Sequence, residues 1–171
     1  VKDGIVSGTA NGDLIDTSYV GDPEGDRIDN NDATGVQGTT GNDDIVHAGA
    51  GNDSIYSGLG NDKILAGTGN DLAFGGAGND TYVIDNIGDI VTELGNGVTA
   101  NTGDWIKASI AIDLNQTKYD GIEHLALTGA VALNATGDEG NNQLIGNSAA
   151  NILDGKGGAD TLTGGLGGDT Y

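Results

Sequence analysis

The chain has 171 residues and a formal net charge of −20, with 26 acidic side chains, 33 Gly and no Cys. This charge excludes nucleic acid and anionic membrane surfaces as partners, and the length fits one domain or a fragment of a longer repeat protein. The lack of Cys excludes disulfides, thiolate zinc sites and a Cys nucleophile. No apolar run approaches the roughly 20 residues of a membrane helix, so we expect no membrane insertion. Because the chain lacks an initiator Met and stops in mid-pattern, we expect it to be a piece of something longer.

The N-terminal segment, residues 1–36, contains two nine-residue units with Asp in the sixth position. They read GTANGDLID and GDPEGDRID, and their sixth residues are Asp13 and Asp26. Irregular stretches separate the two units. We therefore interpret this segment as divergent repeats and include both Asp residues among the predicted metal ligands.

The central segment, residues 37–85, contains five consecutive units with one extra residue, His47, after the first. They read GTTGNDDIV, AGAGNDSIY, SGLGNDKIL, AGTGNDLAF and GGAGNDTYV. Every unit has Gly in the fourth position, Asn in the fifth and Asp in the sixth. The fourth and sixth positions are the predicted metal-binding residues, namely Gly41, Asp43, Gly51, Asp53, Gly60, Asp62, Gly69, Asp71, Gly78 and Asp80.

Each unit predicts a loop followed by a minimal strand. Gly and Asn favour turns with positive φ, and the last three residues place one apolar side chain inward between two outward ones. Two units, about 18 residues, then complete one turn of a flattened coil whose turns pair as parallel strands. The predicted fold class is all-β, a parallel β-roll or β-solenoid. Its sixth-position residues form one column of Asp43, Asp62 and Asp80 and another of Asp53 and Asp71.

Columns of carboxylates at the turn spacing of ~4.8 Å would repel one another without a cation. Calcium accepts six to eight oxygens from carboxylates and backbone carbonyls in a flexible geometry. Magnesium demands a tighter octahedron, and zinc prefers His or Cys. The sequence therefore predicts Ca2+ as the bound cofactor.

Residues 86–136 lose the Gly-Asp pattern but keep apolar alternation. The alternating residues are Ile106, Ile110, Ile112, Leu125, Leu127, Val131 and Leu133. We predict a calcium-poor bridging segment that continues the coil by packing, which gives one continuous or slightly broken solenoid.

The C-terminal segment, residues 137–171, returns to the nine-residue spacing with units GDEGNNQLI, GNSAANILD, GKGGADTLT and GGLGGDTY. Asp160 and Asp169 hold the sixth position in the last two units and are predicted ligands. Asn142 and Asn151 hold it in the first two, and an amide lacks the charge that attracts a hard cation. We expect this segment to bind calcium less well than the central one and to depend on stacked Leu residues.

The units resemble the RTX (repeats-in-toxin) nonapeptide G-G-x-G-x-D-x-U-x, the hemolysin-type repeat of type I secreted bacterial proteins. The resemblance is strongest over residues 38–83, good over 137–171 and partial over the first 36 residues. It implies calcium between the turns of a parallel β-roll that folds after secretion. It also implies a structural or spacer role in a larger extracellular protein, such as a toxin, protease, lipase or adhesin, with that protein's neighbouring domains as partners. The pattern departs at Lys156, which replaces a second-position Gly.

We expect no enzyme, because the chain has no G-x-S-x-G, no H-E-x-x-H and no Cys. His47 is interpreted as a bulge residue, His124 as a strand residue, and Asp22-Pro23 as a type I turn rather than a processing site. The alternative function is a module that binds polysaccharide or ice through exposed rows. The fifth-position Asn row is a candidate ice face, but we favour Asn held in a left-handed loop conformation.

Overall fold

The computed structural model describes residues 3–29, 42–93 and 103–171. Over these residues the chain forms fifteen short strands and one 3-10 turn, Thr117–Tyr119. The first eight strands are β1 Ile5–Ser7, β2 Leu14–Ile15, β3 Ile45–His47, β4 Ser54–Leu59, β5 Lys63–Leu65, β6 Leu72–Ala77, β7 Thr81–Ile84 and β8 Ile90–Val91. The remaining strands are β9 Trp105–Ala108, β10 Ile112–Asp113, β11 His124–Leu127, β12 Asn134–Thr136, β13 Gln143–Ile145, β14 Ile152–Asp154 and β15 Thr161–Thr163. The predicted all-β class is confirmed.

Alternate strands belong to opposite faces of a flattened coil. The odd-numbered strands form one eight-stranded sheet in chain order, and the even-numbered strands form a four-stranded sheet, β2 to β8, and a three-stranded sheet, β10 to β14. All pairings are parallel, and Val46, Ile64 and Tyr82 are partners in successive turns. This offset of 18 residues is the predicted two units per turn. The chain is therefore a β-solenoid.

The core is a stack of inward side chains from successive strands, with one from each three-residue strand and two from longer strands such as β7 and β9. In the eight-stranded sheet they include six fully buried residues, each 0% exposed, namely Val46, Ile64, Tyr82, Ile106, Leu125 and Leu144. Ile15, Ile55, Ala73 and Val91 line the opposite face of the core. A strand of three residues can bury only its middle side chain, which is why each unit has one apolar position.

The register corrects three details of the sequence analysis. The inward residue of β3 is Val46 rather than Ile45, because Ile45 pairs with the outward Lys63. His47 is an ordinary strand residue that pairs with Leu65, so the bulge interpretation was wrong. Val131 is 68% exposed and takes no part in the core that we assigned to it.

The solenoid is continuous on one face and interrupted on the other. The eight-stranded sheet takes strands from all four predicted segments, whose exact boundaries stay a prediction. On the other face, the four-stranded and three-stranded sheets are separate, and the 3-10 turn with its buried Tyr119 lies beside β8. This is the slightly broken solenoid that the sequence predicted. Within the described ranges, no helix is long and apolar enough to cross a membrane.

Candidate metal-binding loops

Glycines in the second and fourth positions shape the loop of each unit. Gly49, Gly51, Gly67 and Gly69 have φ values of 105°, 124°, 89° and 144°, in the region that side chains avoid. A β-carbon at Gly69 would also lie 1.6 Å from the carbonyl oxygen of Gly51, one turn earlier. Both the backbone conformation and the close approach of consecutive turns therefore require glycine here. The loops stack directly on one another.

Sixth-position side chains form a column along the edge of the eight-stranded sheet, here called the first column. The Oδ1 atoms of Asp62, Asp80 and Asp104 each accept the backbone N–H of the column member one turn before, at 2.7 Å. The N–H of Asp104 donates in turn to Oε2 of Glu123 at 3.2 Å. The register extends the column to Asn142 and Asp160. Its members are Asp44, Asp62, Asp80, Asp104, Glu123, Asn142 and Asp160.

A second column runs along the four-stranded sheet and consists of Asp13, Asp53, Asp71 and Asp89. Each backbone N–H again donates to Oδ1 of the Asp in the following turn, at 2.8, 2.9 and 3.1 Å. Asp13, which came from a divergent N-terminal unit, thus joins the central block. The predicted pairing of Asp53 with Asp71 is confirmed.

The second carboxylate oxygen of the central Asp residues is what makes these loops candidate cation sites. The side chains of Asp53, Asp62, Asp71 and Asp80 are at most 2% exposed. The Oδ2 atom of each is buried and has no hydrogen-bond partner. A buried carboxylate oxygen without a donor is costly unless a cation neutralises it. The donor set, carboxylate oxygens in loops rich in backbone carbonyls, fits calcium.

The electrostatics agree with this interpretation. Loss of hydration on burial raises the pKa of Asp62 to about 9, of Asp80 to about 7 and of Asp71 to about 6, and the neighbouring carboxylates of each column add to the effect. Burial likewise raises the pKa of Glu123 to about 7. Without a cation, these groups bind protons far more readily than in an unfolded chain.

The structure corrects the membership of the first column. Asp44, not Asp43, pairs with Asp62, because the extra residue of the first central unit lies at this Asp pair and not at His47. Asp43 takes the place of a fifth-position Asn and accepts the backbone N–H of Asn61 at 2.8 Å. Asp43 is buried, and its role as a ligand stays a prediction. Gly41 lies outside the described residues.

Sequence reasoning missed four column members, Asp44, Asp89, Asp104 and Glu123. Asp89, Asp104 and Glu123 fall in the bridging segment, which we took to lack the loop pattern. A signal was present in the tetrapeptides GDIV and GDWI, which have Asp two residues before an inward apolar residue. For Asp44, the consecutive Asp pair left the frame open by one residue. The bridging segment therefore contributes acids to both columns.

The C-terminal loops repeat the architecture with weaker charge. The N–H of Asn142 donates to Oδ1 of Asp160, and the N–H of Asn151 donates to Oδ1 of Asp169, both at 2.9 Å. The Nδ2 groups of Asn142 and Asn151 donate to carbonyl oxygens of the turn before, those of Glu123 and Leu133. An amide donor thus occupies space that a cation would need. Asp160 and Asp169 are partly exposed, unlike the central Asp residues.

Asp26 belongs to neither column. Its backbone N–H donates to Oδ2 of Asp22 at 2.8 Å, and its own Oδ2 accepts the N–H of Asp3 at 3.1 Å. The N–H of Gly25 donates to the carbonyl oxygen of Asp22 at 3.3 Å, so the Asp22-Pro23 bond lies in a turn, as interpreted. The metal role of Asp26 stays a prediction.

The fifth-position Asn side chains are exposed and form hydrogen bonds between successive turns. Oδ1 of Asn52 accepts the N–H of Asn70 at 2.9 Å, and Oδ1 of Asn61 accepts the N–H of Asn79 at 2.8 Å. Among the described residues, only Asp29 and Lys156 have positive φ without being glycine. The left-handed Asn interpretation was therefore wrong. These side chains link successive turns, parallel to the carboxylate columns.

The comparisons with known proteins agree with the geometry. A family model for the RTX calcium-binding nonapeptide repeat matches the chain in four copies, over residues 37–73, 58–83 and 136–171. No curated protein and no solved structure matches it significantly. The matched ranges contain the loops of the central and C-terminal segments.

Proposed function

This chain belongs to the RTX calcium-binding nonapeptide repeat family, and on that premise we propose that it is a folding module which becomes ordered when it meets extracellular calcium. The module serves as a structural or spacer part of a larger exported bacterial protein, such as a toxin, protease, lipase or adhesin. RTX repeats are typical of secreted bacterial proteins, and they form calcium-binding β-rolls rather than catalytic sites. Neighbouring domains of the same protein are its proposed partners.

One observation carries this proposal, namely the buried Oδ2 atoms of Asp53, Asp62, Asp71 and Asp80. Suppose that each extracellular-type site has a Kd of ~10⁻⁴ M in ~10⁻³ M calcium. Each site then adds about 1.4 kcal/mol to the free energy of unfolding. Four sites add about 6 kcal/mol, which is comparable to the total stability of a domain. At cytosolic calcium this contribution vanishes while the repulsion within a chain of charge −20 remains.

The first test compares the chain in chelator with the chain in millimolar calcium. We expect far-ultraviolet circular dichroism to show a largely disordered chain without calcium and a β-rich chain with it. Magnesium at the same concentration serves as the control, because its octahedral preference suits these loops poorly. Matching spectra in chelator and calcium would refute calcium-dependent folding.

A second test asks whether the columns hold the calcium. Asp62→Asn keeps an acceptor for the N–H of Asp44 but removes one charge from the first column, between Asp44 and Asp80. Asp16→Asn removes the same charge at a residue outside both columns, in a turn where Asp16 accepts two hydrogen bonds from Ser18. We expect Asp62→Asn to raise the calcium midpoint of folding by about tenfold, and Asp16→Asn to leave it nearly unchanged. Equal midpoints would mean that the columns are not the calcium sites.

A further inference from the structure

The regular stacking changes where the central block meets the bridging segment. Lys63 in β5 pairs with Thr81 in β7 at an offset of 18 residues, whereas Thr81 pairs with Trp105 in β9 at an offset of 24. On the other face, Ala73 in β6 still pairs with Val91 in β8 at the regular offset. The six additional residues therefore fall after β8, in the connection that replaces a nonapeptide loop.

Glu93 stands at the start of this longer connection, in the place that the register assigns to a first-position residue. Counting on from the β6–β8 pairs, it lies one turn after Gly75. The other first-position residues of the central block are small, namely Ala48, Ser57, Ala66 and Gly75. At Gly75 the sixth-position side chain folds back over the backbone, and a β-carbon there would lie 2.1 Å from Oδ2 of Asp80. A carboxylate is thus introduced where the repeat otherwise keeps a small residue.

The side chain of Glu93 is held toward the first column. It is 1% exposed, its Oε1 accepts the hydroxyl of Tyr82, and its Oε2 accepts the backbone N–H of Gly76 at 3.1 Å. The Tyr82 hydroxyl accepts the N–H of Gly75 at 2.6 Å, which fixes the phenol in turn. Tyr82 is therefore a positioning residue for Glu93. These contacts orient the carboxylate and leave it lone pairs for a further ligand.

Glu93 is brought next to two members of the first column. One carboxylate oxygen from each of Asp80, Glu93 and Asp104 lies within 4.8 Å of the other two, and all three side chains are buried. Oxygens that share one calcium ion at 2.3–2.6 Å can be at most about 5 Å apart, so this spacing allows a single ion to contact all three.

An independent feature points to a ligand at this place. Asp80 is 0% exposed, and its Oδ2 atom is buried without a hydrogen-bond partner, although its Oδ1 accepts the N–H of Asp62. Glu93 and Asp104 place negative charge near this side chain. A positively charged ligand is therefore favoured at Oδ2 of Asp80 over a neutral hydrogen-bond donor of the protein. A cation satisfies Oδ2 of Asp80 and offsets the repulsion among the three acids.

We propose that Asp80, Glu93 and Asp104 bind one calcium ion, and that Glu93 is a ligand from outside the nonapeptide units. This inference rests on the proposed calcium-dependent folding and extends it. Glu93 supplies its carboxylate from the start of the longer connection, where the register of the central units has a small first-position residue. The ion thereby joins the central block to the first turn of the bridging segment, whose folding also becomes calcium-dependent.

The single Trp of the chain gives this site its own signal. Trp105 directly follows Asp104 and pairs with Thr81, so its fluorescence reports the closing of β9 onto β7. The test titrates the full chain with calcium while Trp fluorescence and circular dichroism are recorded together. Bound calcium is counted by equilibrium dialysis. The variants are Glu93→Gln, which removes charge at similar size, and Glu139→Gln, which makes the same change at an exposed residue.

We expect Glu93→Gln to bind one calcium ion fewer and to raise the Trp105 midpoint by about tenfold or more, with Glu139→Gln like the unchanged chain. An unchanged ion count and midpoint in Glu93→Gln would overturn the proposal. The proposal would also be overturned if the only effect of Glu93→Gln were a more ordered chain in chelator. That result would mean that the three acids share a proton and not a calcium ion. If the unchanged chain bound no calcium, the proposed function itself would fail, which is a distinguishable result.

A second measurement covers the case in which Glu93→Gln does not fold. The unchanged chain is crystallised in calcium, and the electron density between Asp80, Glu93 and Asp104 is inspected. An ion within coordination distance of a Glu93 oxygen supports the site. Calcium elsewhere in the first column, with Glu93 bound only to Tyr82 and Gly76, overturns it.

Discussion

Lys156 occupies a loop position where the central units have glycine. Its φ is 65°, in the left-handed region, and it stands in the second position of its unit, like Gly49 and Gly67. Its backbone N–H donates to Oδ1 of Asp154 at 3.1 Å, and its Nζ lies 2.8 Å from Oδ2 of the same residue. Both groups are exposed, so the ion pair offsets little of the backbone strain.

Replacing Lys156 by glycine should therefore stabilise the chain. We expect Lys156→Gly to raise the melting temperature in saturating calcium by about 2 °C, because glycine adopts this conformation without strain. Lys156→Ala is the matched control, since it removes the same ion pair but keeps a β-carbon in the left-handed region. A melting temperature that rises equally in both variants would place the effect in the lost charge and not in the backbone.

Residues inside the regular nine-residue units could be predicted from the sequence, whereas residues beside an irregularity could not. The loop glycines, the inward apolar residues of the regular central units and Asp53, Asp62, Asp71 and Asp80 were predictable, because a fixed spacing of nine repeats a fixed geometry. Val46 was not, because the first central unit contains an additional residue. Asp44 was not predictable, because two adjacent Asp residues fit the repeat equally well. Only the pairing of Ile45 with Lys63 in the sheet shows that Asp44 is the residue opposite Asp62. Glu93 carried no periodic signal, since its place follows from a longer connection.

At the scale of elements, the strands are interchangeable and the loops are not. Most strands bury one or two side chains and pair with their neighbours, whether they belong to a nonapeptide or to the bridging segment. The bridging strands β9 and β11 were predictable from apolar alternation. The position of the 3-10 turn was not, because it depends on how the buried Tyr119 packs beside β8. The loops differ in charge, and this difference can be tested.

Asn151 lies in a loop where one substitution should create a stronger calcium site. It is 2% exposed, and its Nδ2 donates to the carbonyl oxygen of Leu133 at 2.9 Å. Asn151→Asp replaces that donor by an acceptor, which faces a carbonyl oxygen without a proton between them. We expect a lower melting temperature at low calcium and a higher one at saturating calcium, so that the two curves of melting temperature against calcium concentration cross.

The control for this prediction is Asn141→Asp in the same segment. Oδ1 of Asn141 accepts the N–H of Ala159 at 2.7 Å, and the side chain is exposed, outside the carboxylate columns. A new charge there should shift the melting curve without making it steeper in calcium. If Asn151→Asp behaves in the same way as Asn141→Asp, the sixth position is not special in the C-terminal segment.

At the scale of the whole molecule, the buried acids couple folding to protons as well as to calcium. The pKa of Asp62 is raised to about 9, of Asp80 to about 7 and of Asp71 to about 6, from an ordinary value of 3.8. A group with a raised pKa stabilises the fold fully below its unfolded pKa, and this stability is lost as the pH rises through the folded pKa. The calcium-free fold is therefore most stable in acid and weakens between about pH 4 and pH 9.

In calcium-free buffer, we expect the β signal in circular dichroism to grow as the pH falls from about 8 to about 5.5. Calcium binding should release protons over the same range, which calorimetry in buffers of different ionisation enthalpy measures directly. Neutral buffer with high salt is the control, because salt screens the long-range repulsion of the −20 charge but does not hydrate buried acids. A β signal recovered equally by salt would assign the effect to net charge alone.

The hydrogen bonds of both columns all point the same way along the chain. The N–H of Asp44 donates forward to Asp62, and the N–H of Asp53 donates forward to Asp71. Removing a turn from the C-terminal side of the stack takes an acceptor away from the turn before it, and no cation can replace an acceptor for a buried N–H. Within the columns, removing a turn from the N-terminal side leaves a carboxylate oxygen without its donor, which calcium or water can satisfy. The fifth-position bonds run the other way, since the N–H of Asn70 donates back to Asn52. The polarity therefore belongs to the carboxylate columns, which tolerate shortening from their first member better than from their last.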